Sequence, residues 1–269
     1  MRAPGAGAPP RRKRFGQHFL HDPQVIGRIL EALAARPGEH LVEIGPGLGA
    51  LTAHLLALPG VSLDALEIDR DLAARLAPGF AAPARRLHVG DALQFDFGAL
   101  AAERGGALRV IGNLPYNIST PLLFHLASAG PAIADLTIML QREVVLRLAA
   151  APGSSDYGRL TVMLAPYFDI ERLFDVGPGA FRPPPRVWSA VAHLVRRAAP
   201  RFPVAPRFAQ VVAAAFGQRR KTLRNALRQL LTAEAIARAG VDPGARPETL
   251  TAEAFNALAG MLDREGAAG

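Results

Sequence analysis

The chain has 269 residues, half of them hydrophobic, and its 31 Lys and Arg against 23 Asp and Glu give a formal net charge of +8. This size and composition suit one large domain, or one domain with a small appendage, and exclude wholesale disorder. The lack of cysteine excludes disulfides, thiolate zinc sites, iron–sulfur clusters and cysteine nucleophiles. With neither a membrane-spanning apolar run nor an apolar signal core at the N-terminus, we expect a cytoplasmic protein with no membrane partner.

Strand and helix signals alternate through the middle of the chain. Buried-strand patterns occupy residues 40–44, 62–67, 87–89, 108–111 and 135–140, and helical patterns follow at about 50–58, 70–76, 120–127 and 143–149. Such alternation predicts a parallel, doubly wound sheet with helices on both faces. Two further strands are predicted at 160–170 and 187–195. Only Pro- and Gly-rich sequence intervenes between them, so they are expected to pair antiparallel at one edge and complete seven strands.

The C-terminal quarter has a different pattern. Three prolines between residues 198 and 206 indicate a linker. Helical spacing follows at 207–216, 221–231, 233–239 and 251–262. The sequence therefore predicts an α/β domain at residues 15–199, a helical domain at 200–269, and a disordered basic arm at 1–14.

Basic residues are concentrated in two places. One cluster is Arg11, Arg12, Lys13 and Arg14, and the other contains Arg219, Arg220, Lys221 and Arg224. Residues 201–228 contain no Asp or Glu at all. Because a solvated helix normally mixes both signs, a stretch of one sign favours contact with phosphates. A nucleic acid is the expected partner.

A glycine loop follows the first strand of the alternating region, with the sequence EIGPGLG at residues 43–49. Glycines let the backbone turn sharply and let a ligand lie against it. Glu67, at the end of the next strand, has the spacing of a ribose-binding acid, so a dinucleotide, S-adenosylmethionine or a mere structural turn all remain open. The carboxylate of Glu43 beside the loop favours the cationic S-adenosylmethionine. Asp91, after the third strand, lies where such sheets bind ligands and is a candidate acceptor for an adenine amino group.

The tetrapeptide Asn113-Leu114-Pro115-Tyr116 follows the fourth strand. An exocyclic adenine amine is a weak nucleophile because its lone pair is delocalised into the ring. The side-chain carbonyl of Asn113 and the main-chain carbonyl of Leu114 could bind its hydrogens and favour the reactive, pyramidal geometry. Pro115 would hold that carbonyl in one direction, and Tyr116 offers a face for an unstacked base. The alternative is a proline turn with no chemistry.

With these motifs in place, the chain resembles the family of 16S rRNA adenine N6,N6-dimethyltransferases over nearly its whole length. The segments that carry the resemblance are RFGQHFL at 14–20, EIGPGLG at 43–49, LEID at 66–69, GDA at 90–92, GNLPY at 112–116, QRE at 141–143, YGR at 157–159, FRPPPRV at 181–187 and FGQRRKTLRN at 216–225. The resemblance implies a class I S-adenosylmethionine-dependent methyltransferase fold with a small C-terminal all-α domain. His18 and Trp188 depart from the common family pattern.

The resemblance also implies roles for individual residues. His18 and Leu20 would fold over the methionine end of S-adenosylmethionine, and Gly45 and Gly47 would line it. Glu67 would hold its ribose and Asp91 its adenine, with Glu43, Ile68 and Ala92 as further cofactor-binding residues. Asn113 would lie between cofactor and substrate, and Phe181 would stack on the target base opposite Tyr116. Arg186 would join the two basic clusters in contacting RNA. No metal is implied, and the seven histidines show no metal-ligand spacing.

The function implied is dimethylation of N6 on two adjacent adenosines in the 3′-terminal hairpin loop of 16S rRNA, carried out on the small ribosomal subunit by a monomer that also takes part in subunit biogenesis. Three alternatives stay open at this point. They are a 23S rRNA adenine dimethyltransferase of the macrolide-resistance type, a ribosome-assembly factor that acts without catalysis, and a nicotinamide oxidoreductase.

Overall fold

The computed structural model describes residues 18–267 of the chain. The predicted basic arm, with Arg11, Arg12, Lys13 and Arg14, lies outside the described residues. Within residues 18–267, no helix is both long enough and apolar enough to cross a membrane.

The strands, in chain order, are β1 (Phe19–Leu20), β2 (His40–Ile44), β3 (Ser62–Glu67), β4 (Arg85–Val89), β5 (Leu108–Asn113), β6 (Ile133–Gln141), β7 (Phe168–Val176), β8 (Phe181–Arg182) and β9 (Ser189–Arg196). The α-helices are α1 (Pro23–Leu33), α2 (Thr52–Leu55), α3 (Arg70–Leu76), α4 (Phe97–Arg104), α5 (Ser119–Ser128), α6 (Arg142–Leu148), α7 (Arg159–Leu164), α8 (Phe208–Gly217), α9 (Leu223–Ala226), α10 (Ala233–Arg238) and α11 (Ala252–Ala267).

Seven strands form one sheet in the order β4-β3-β2-β5-β6-β9-β7. The first five run parallel, while β9 pairs antiparallel with both β6 and β7. The predicted doubly wound sheet with an antiparallel edge is therefore confirmed. β2 and β3 are buried along almost their whole length, which is why both appear in the sequence as nearly continuous apolar runs.

The remaining two short strands join distant parts of the chain. β1 pairs antiparallel with β8, with Phe19 opposite Arg182 and Leu20 opposite Phe181. The main-chain N–H of His21 also donates to the carbonyl of Ala180 at 2.9 Å. This pairing ties the segment before α1 to the segment before β9, on the side of the sheet where the strands' C-terminal ends lie.

One predicted strand is wrong over half its length. Residues 159–164 form α7 rather than the start of a strand at 160–170, and only from Phe168 is the chain extended. The Thr161 side chain caps this helix by accepting from the Gly158 N–H at 3.2 Å. Leu160 and Leu164 pack into the core of the sheet, whereas Val162 packs into the helical core. Apolar contacts on two sides of a helix produce a near-continuous apolar run that is also typical of a buried strand.

The C-terminal helices pack around their own core, which contains Val211, Leu227, Phe255 and Leu258. Tyr157 and Val162 belong to this core as well, so the contact between the two parts of the chain begins before residue 199. The predicted helix at 221–231 is shorter than expected, since only α9 at 223–226 is helical. Two helices, α1 and α4, were not predicted. α1 begins at a clear signal, because Asp22 accepts from the N–H groups of residues 24 and 25 and Pro23 follows it.

Candidate active site

A cavity of about 310 Å³ opens at the C-terminal ends of β2, β3 and β5. Parallel α/β sheets bind their ligands at this edge. The cavity is lined by the segment before α1, the glycine loop after β2, the end of β3, the turn after β4 and the residues that follow β5. Every predicted cofactor residue lies on its wall, namely His18, Leu20, Glu43, Gly45, Gly47, Glu67, Ile68, Asp91, Ala92 and Asn113.

The glycine loop takes a backbone conformation that L side chains rarely adopt. Gly45 and Gly47 have φ values of 69° and 60°. At Gly47 the space is closed as well, since a Cβ there would lie 3.1 Å from Cδ1 of Phe19. Phe19 thus covers the loop from above. It is a wall residue that the sequence analysis did not single out.

Two carboxylates lie on the cavity wall beside the loop. Glu43 is buried and accepts a 2.6 Å hydrogen bond from the Thr52 hydroxyl. Glu67 accepts from the main-chain N–H of Gly47 at 3.0 Å with one oxygen, and from that of Asp69 at 2.9 Å with the other. The carboxylate of Glu67 therefore fixes the position of the loop and of the turn after β3 at once.

Burial shapes the protonation of both acids. Desolvation raises the pKa of Glu43 to about 7, against a smaller lowering from its bond with Thr52. Desolvation also raises the pKa of Glu67, partly offset by the two main-chain donors. Two acids held in one recess with raised pKa values favour a ligand that carries positive charge, because a nearby cation stabilises their ionised forms.

The tetrapeptide Asn113-Leu114-Pro115-Tyr116 is positioned by the end of β5. Asn113 is the last residue of that strand, and its side-chain amide donates to the main-chain carbonyl of His18 at 3.0 Å. The Leu114 N–H donates to the carbonyl of Met139 on the neighbouring strand at 3.1 Å. On the other side, β5 approaches β2 closely at Gly112, where a Cβ would lie 2.4 Å from the carbonyl oxygen of Ile44. The first residue of the GNLPY motif is thus required by the packing of β5 against β2.

Tyr116 is held at both ends of its side chain. Its hydroxyl lies 2.6 Å from the hydroxyl of Ser189 at the start of β9. Its ring stacks on that of His18, with centroids 5.9 Å apart and planes 29° apart. Burial raises the pKa of the Tyr116 phenol. The His18 ring is fixed in turn by a 2.9 Å hydrogen bond between Nδ1 and the carbonyl of Pro183.

Phe181 does not take the position that the resemblance implies. It is only 2% exposed and packs in the core with Leu20, Met139 and Val191. It is also absent from the cavity wall. The pairing of β1 with β8 places Phe181 opposite Leu20 and directs its ring inward. The expectation of a second exposed aromatic face opposite Tyr116 is therefore corrected, since the ring that stacks on Tyr116 in this structure is His18.

The five described basic residues that were predicted to contact RNA lie on the surface. Arg219, Arg220 and Lys221 occupy the exposed turn between α8 and α9, Arg224 lies on α9, and Arg186 is exposed just before β9. The Arg219 guanidinium donates to the carbonyl of Ser155 at 2.6 Å. No described carboxylate lies within ion-pair distance of any of the five, so their charges are available to an external anion. Nor do residues 18–267 contain a group of three His, Asp or Glu placed to hold a metal ion.

Comparison with known proteins identifies what this chain is similar to. A family model described as ribosomal RNA adenine dimethylase matches residues 10–264. The ribosomal RNA small subunit methyltransferase A of Pseudomonas aeruginosa is 55% identical over 254 residues, which cover 93% of this chain and 94% of that protein.

Two solved structures share the fold over nearly the whole length. A dimethyladenosine transferase from Plasmodium falciparum matches with a TM-score of 0.76 at 22% identity, covering 93% of this chain and 98% of the other. The 23S rRNA methyltransferase ErmE matches with a TM-score of 0.66 at 28% identity, covering 91% of this chain and 99% of the other. The predicted Rossmann-like fold with an added helical region is the fold of these methyltransferases.

Proposed function

The chain belongs to the ribosomal RNA adenine dimethylase family, and from that membership we propose that it dimethylates N6 of two adjacent adenosines in the 3′-terminal hairpin loop of 16S rRNA. S-adenosylmethionine is the methyl donor, and the small ribosomal subunit is the substrate. The observation that carries the proposal is the placement of the Asn113 tetrapeptide on the wall of the same cavity as the glycine loop and its two acids. The protein acts as a cytoplasmic monomer and contributes to subunit biogenesis.

The cavity fits the methyl donor in shape and in chemistry. Its wall provides the close-lying glycine main chain at Gly45 and Gly47, the acids Glu43 and Glu67, and the exposed apolar side chain of Ile68. An adenosine needs an apolar surface for its base and acceptors for its ribose hydroxyls, and the methionine end carries a cationic ammonium and sulfonium. S-adenosylmethionine, when bound there, supplies a methyl group that is electrophilic because its sulfur is positively charged.

The protein's own contribution is to hold the N6 amine of the target adenosine. With its NH₂ group engaged by the carbonyl of His18, the Asn113 amide presents its oxygen as an acceptor for an N6 hydrogen. The main-chain carbonyl of Leu114 is the second acceptor, and Pro115 restricts its direction. Two acceptors that bind the N6 hydrogens localise the nitrogen lone pair. Holding that nitrogen in line with the methyl group removes much of the entropic barrier.

The small-subunit substrate is favoured over the large-subunit one by degree of similarity. The small subunit methyltransferase A of Pseudomonas aeruginosa is 55% identical, whereas the 23S rRNA methyltransferase ErmE is 28% identical. Both groups of enzymes would use the cavity in the same way. The difference in substrate is therefore expected to reside outside it, on the surfaces that contact RNA.

The test is to incubate the protein with labelled S-adenosylmethionine and with small subunits from a strain that lacks this methylation. We expect label on N6 of the two adjacent adenosines and none on large subunits from a strain that lacks the 23S methylation. Label on cytosine, ribose or protein would refute the proposal. Asn113→Ala tests the alternative of an assembly factor that acts without catalysis. If that alternative holds, the variant restores subunit assembly in the deletion strain although it transfers no methyl group. Calorimetric titration tests the oxidoreductase alternative, which predicts binding of NAD, whereas the proposed function predicts binding of S-adenosylmethionine.

A further inference from the structure

A second recess, open to solvent, lies where β6 ends and β9 begins. It is lined by Gln141, Arg142, Glu143, Asp175, Val187 and Trp188. We propose that Trp188 is a stacking platform for an unpaired RNA base that flanks the target adenosine, so that the enzyme holds two nucleotides at once. This inference rests on the proposed function and adds a substrate-positioning residue to it.

Trp188 has the exposure and the support that a platform requires. The residue is 55% exposed, and its neighbour Val187 is 44% exposed. The closed side of the ring lies against the main chain of Gly177, where an added Cβ would be 3.7 Å from Cη2. The Trp188 carbonyl accepts from the Arg142 N–H at 2.9 Å, which fixes the backbone. One side of the indole is thus held while the rest stays open, and an aromatic face of this kind stacks any base.

The platform is joined to the active site through the next residue. Ser189 follows Trp188 and bonds the hydroxyl of Tyr116 at 2.6 Å. Successive residues at the start of a strand direct their side chains to opposite sides. Tyr116 and Trp188 therefore lie on the two sides of one strand end, and adjacent Cα atoms are about 3.8 Å apart. An RNA strand whose target base enters the cavity past Tyr116 would carry its neighbouring nucleotide over this strand end.

Both acids that line the recess have arginine partners, so they leave little free negative charge to repel RNA. The carboxylate of Asp175 is paired with both Arg142, at 2.9 Å, and Arg172, at 2.6 Å. Glu143 lies 3.9 Å from Arg147. Arg182 and Arg186 are exposed and have no carboxylate within ion-pair distance among residues 18–267. Arg186 precedes Trp188 by two residues, so a free cation and an exposed aromatic ring follow each other closely in the chain, a combination that suits a phosphate and its base.

The recess also offers groups that can contact a base edge. The side-chain amide of Gln141 lines it and makes no hydrogen bond within the described part of the chain. An amide carries both a donor and an acceptor and can pair with an adenine edge in two places. Trp188 therefore provides stacking, and Gln141 provides a means of preferring one base over another.

The test uses the fact that Trp188 is the only tryptophan of the chain. The intact protein is titrated with an RNA hairpin whose loop contains two adjacent adenosines, and binding is followed independently by anisotropy of a label on the RNA. We expect the tryptophan fluorescence to be quenched in parallel with binding. We expect the quenching to disappear when the nucleotide flanking the target is replaced by an abasic one. Binding without quenching would overturn the proposal, as would quenching that persists when the flanking nucleotide is abasic.

Kinetics with unmethylated small subunits supply the second arm. We expect Trp188→Ala to raise KM about 5- to 160-fold, the range for removing the stacking of one base, with kcat within about twofold of wild type. Trp188→Phe should restore most of the affinity, whereas a structural role for the indole would not be rescued by a smaller ring. Val195→Ala, at a 43% exposed apolar residue of β9, is the matched control. An unchanged KM for Trp188→Ala would contradict the platform while leaving the methylation itself intact.

Discussion

The side-chain amide nitrogen of Asn113 donates to the main-chain carbonyl of His18 at 3.0 Å. This single bond links the end of β5 to the segment that closes the cavity from above. It also determines which end of the amide faces the substrate, since a nitrogen engaged by a carbonyl leaves the oxygen as the free acceptor. The position of the segment around His18 and the orientation of the Asn113 amide oxygen therefore depend on the same hydrogen bond.

Asn113→Ala removes that acceptor, and we expect kcat for methylation of small subunits to fall by about 10²- to 10³-fold, the usual cost of deleting one preorganised polar group. The affinity for S-adenosylmethionine should fall by less than kcat, because the glycine loop and both acids stay in place and only the bond to the His18 carbonyl is lost around the cofactor. Single-turnover kinetics and calorimetry measure the two quantities. The matched control is Asn117→Ala, since Asn117 also lines the cavity but is exposed on the following turn. Equal losses in both variants would argue against a specific role for Asn113.

Gly112→Ala tests the close approach of β5 to β2. The added Cβ would lie 2.4 Å from the Ile44 carbonyl oxygen, a distance that the sheet can relieve only by moving its backbone. We expect the free energy of unfolding to fall by about 1–3 kcal/mol or more, measured by urea titration. Gly27→Ala is the control, because a Cβ at Gly27 meets nothing within 4 Å and the residue lies inside α1. That substitution should stabilise the protein by about 0.4–1 kcal/mol.

The strands that build the site were predictable because burial on both faces produces a local pattern. β2 and β3 appear as short apolar runs that each end in or near an acid, and the glycine loop identified the turn between β2 and α2. The site residues on these turns could therefore be named in advance. α1 carried an equally local signal in Asp22 and Pro23, although the sequence analysis predicted no helix there.

What the sequence could not predict depends on contacts between residues far apart in the chain. The stacking of His18 on Tyr116 and the burial of Phe181 both follow from the pairing of β1 with β8, which joins residues about 160 positions apart. Two-residue strands have no periodicity to detect. The proline-rich neighbourhood of Phe181 favoured an exposed loop, and the long-range pairing reversed that interpretation. The Ser189 partner of Tyr116 was missed for the same reason.

Glu67→Gln is expected to weaken binding of S-adenosylmethionine by about 10- to 100-fold, the usual cost of hydrogen bonds to a charged acceptor. The carboxylate now accepts from two main-chain N–H groups, those of Gly47 and Asp69. In the amide, the NH₂ group must face one of these donors, so the loop is disturbed as well as the contact with the ribose. Calorimetry gives the dissociation constants. Glu103→Gln, at an exposed acid paired with Arg86, should leave the affinity unchanged.

Glu43 predicts a dependence of stability on pH. Its pKa is about 7 in the folded protein, because of burial, against an ordinary value of 4.5. Between these pH values the folded state holds a proton that the unfolded state releases, so stability falls as pH rises and levels off above about pH 7. The full difference corresponds to about 3 kcal/mol. Glu43→Gln keeps an acceptor for the Thr52 hydroxyl and cannot ionise. It should therefore match wild type at pH 4.5 and exceed its stability by up to that amount at pH 8.

Urea titrations at several pH values give the difference in the free energy of unfolding between wild type and Glu43→Gln. The contributions of all other titrating groups cancel in this difference. A difference that stays constant from pH 4.5 to pH 8 would mean that Glu43 keeps its ordinary pKa. A cationic ligand beside Glu43 should lower its pKa and release a proton on binding near neutral pH. Calorimetry of S-adenosylmethionine binding in buffers with different ionisation enthalpies detects that proton, and Glu43→Gln should abolish it.

The basic turn after α8 predicts a change in salt dependence rather than in chemistry. Arg220 and Lys221 are exposed and lie within ion-pair distance of no described carboxylate, so each is free to neutralise an RNA phosphate. Replacing both by Ala should reduce the slope of log affinity against log salt by about 0.7 to 0.9 for each phosphate that is no longer neutralised. The reduction in affinity for small subunits should accordingly be large at low salt and shrink as salt rises. Binding to small subunits over a range of KCl concentrations measures the slope. Arg86→Ala, whose charge is already paired with Glu103, should leave it unchanged, and an unaltered slope in the double variant would place the phosphate contacts elsewhere.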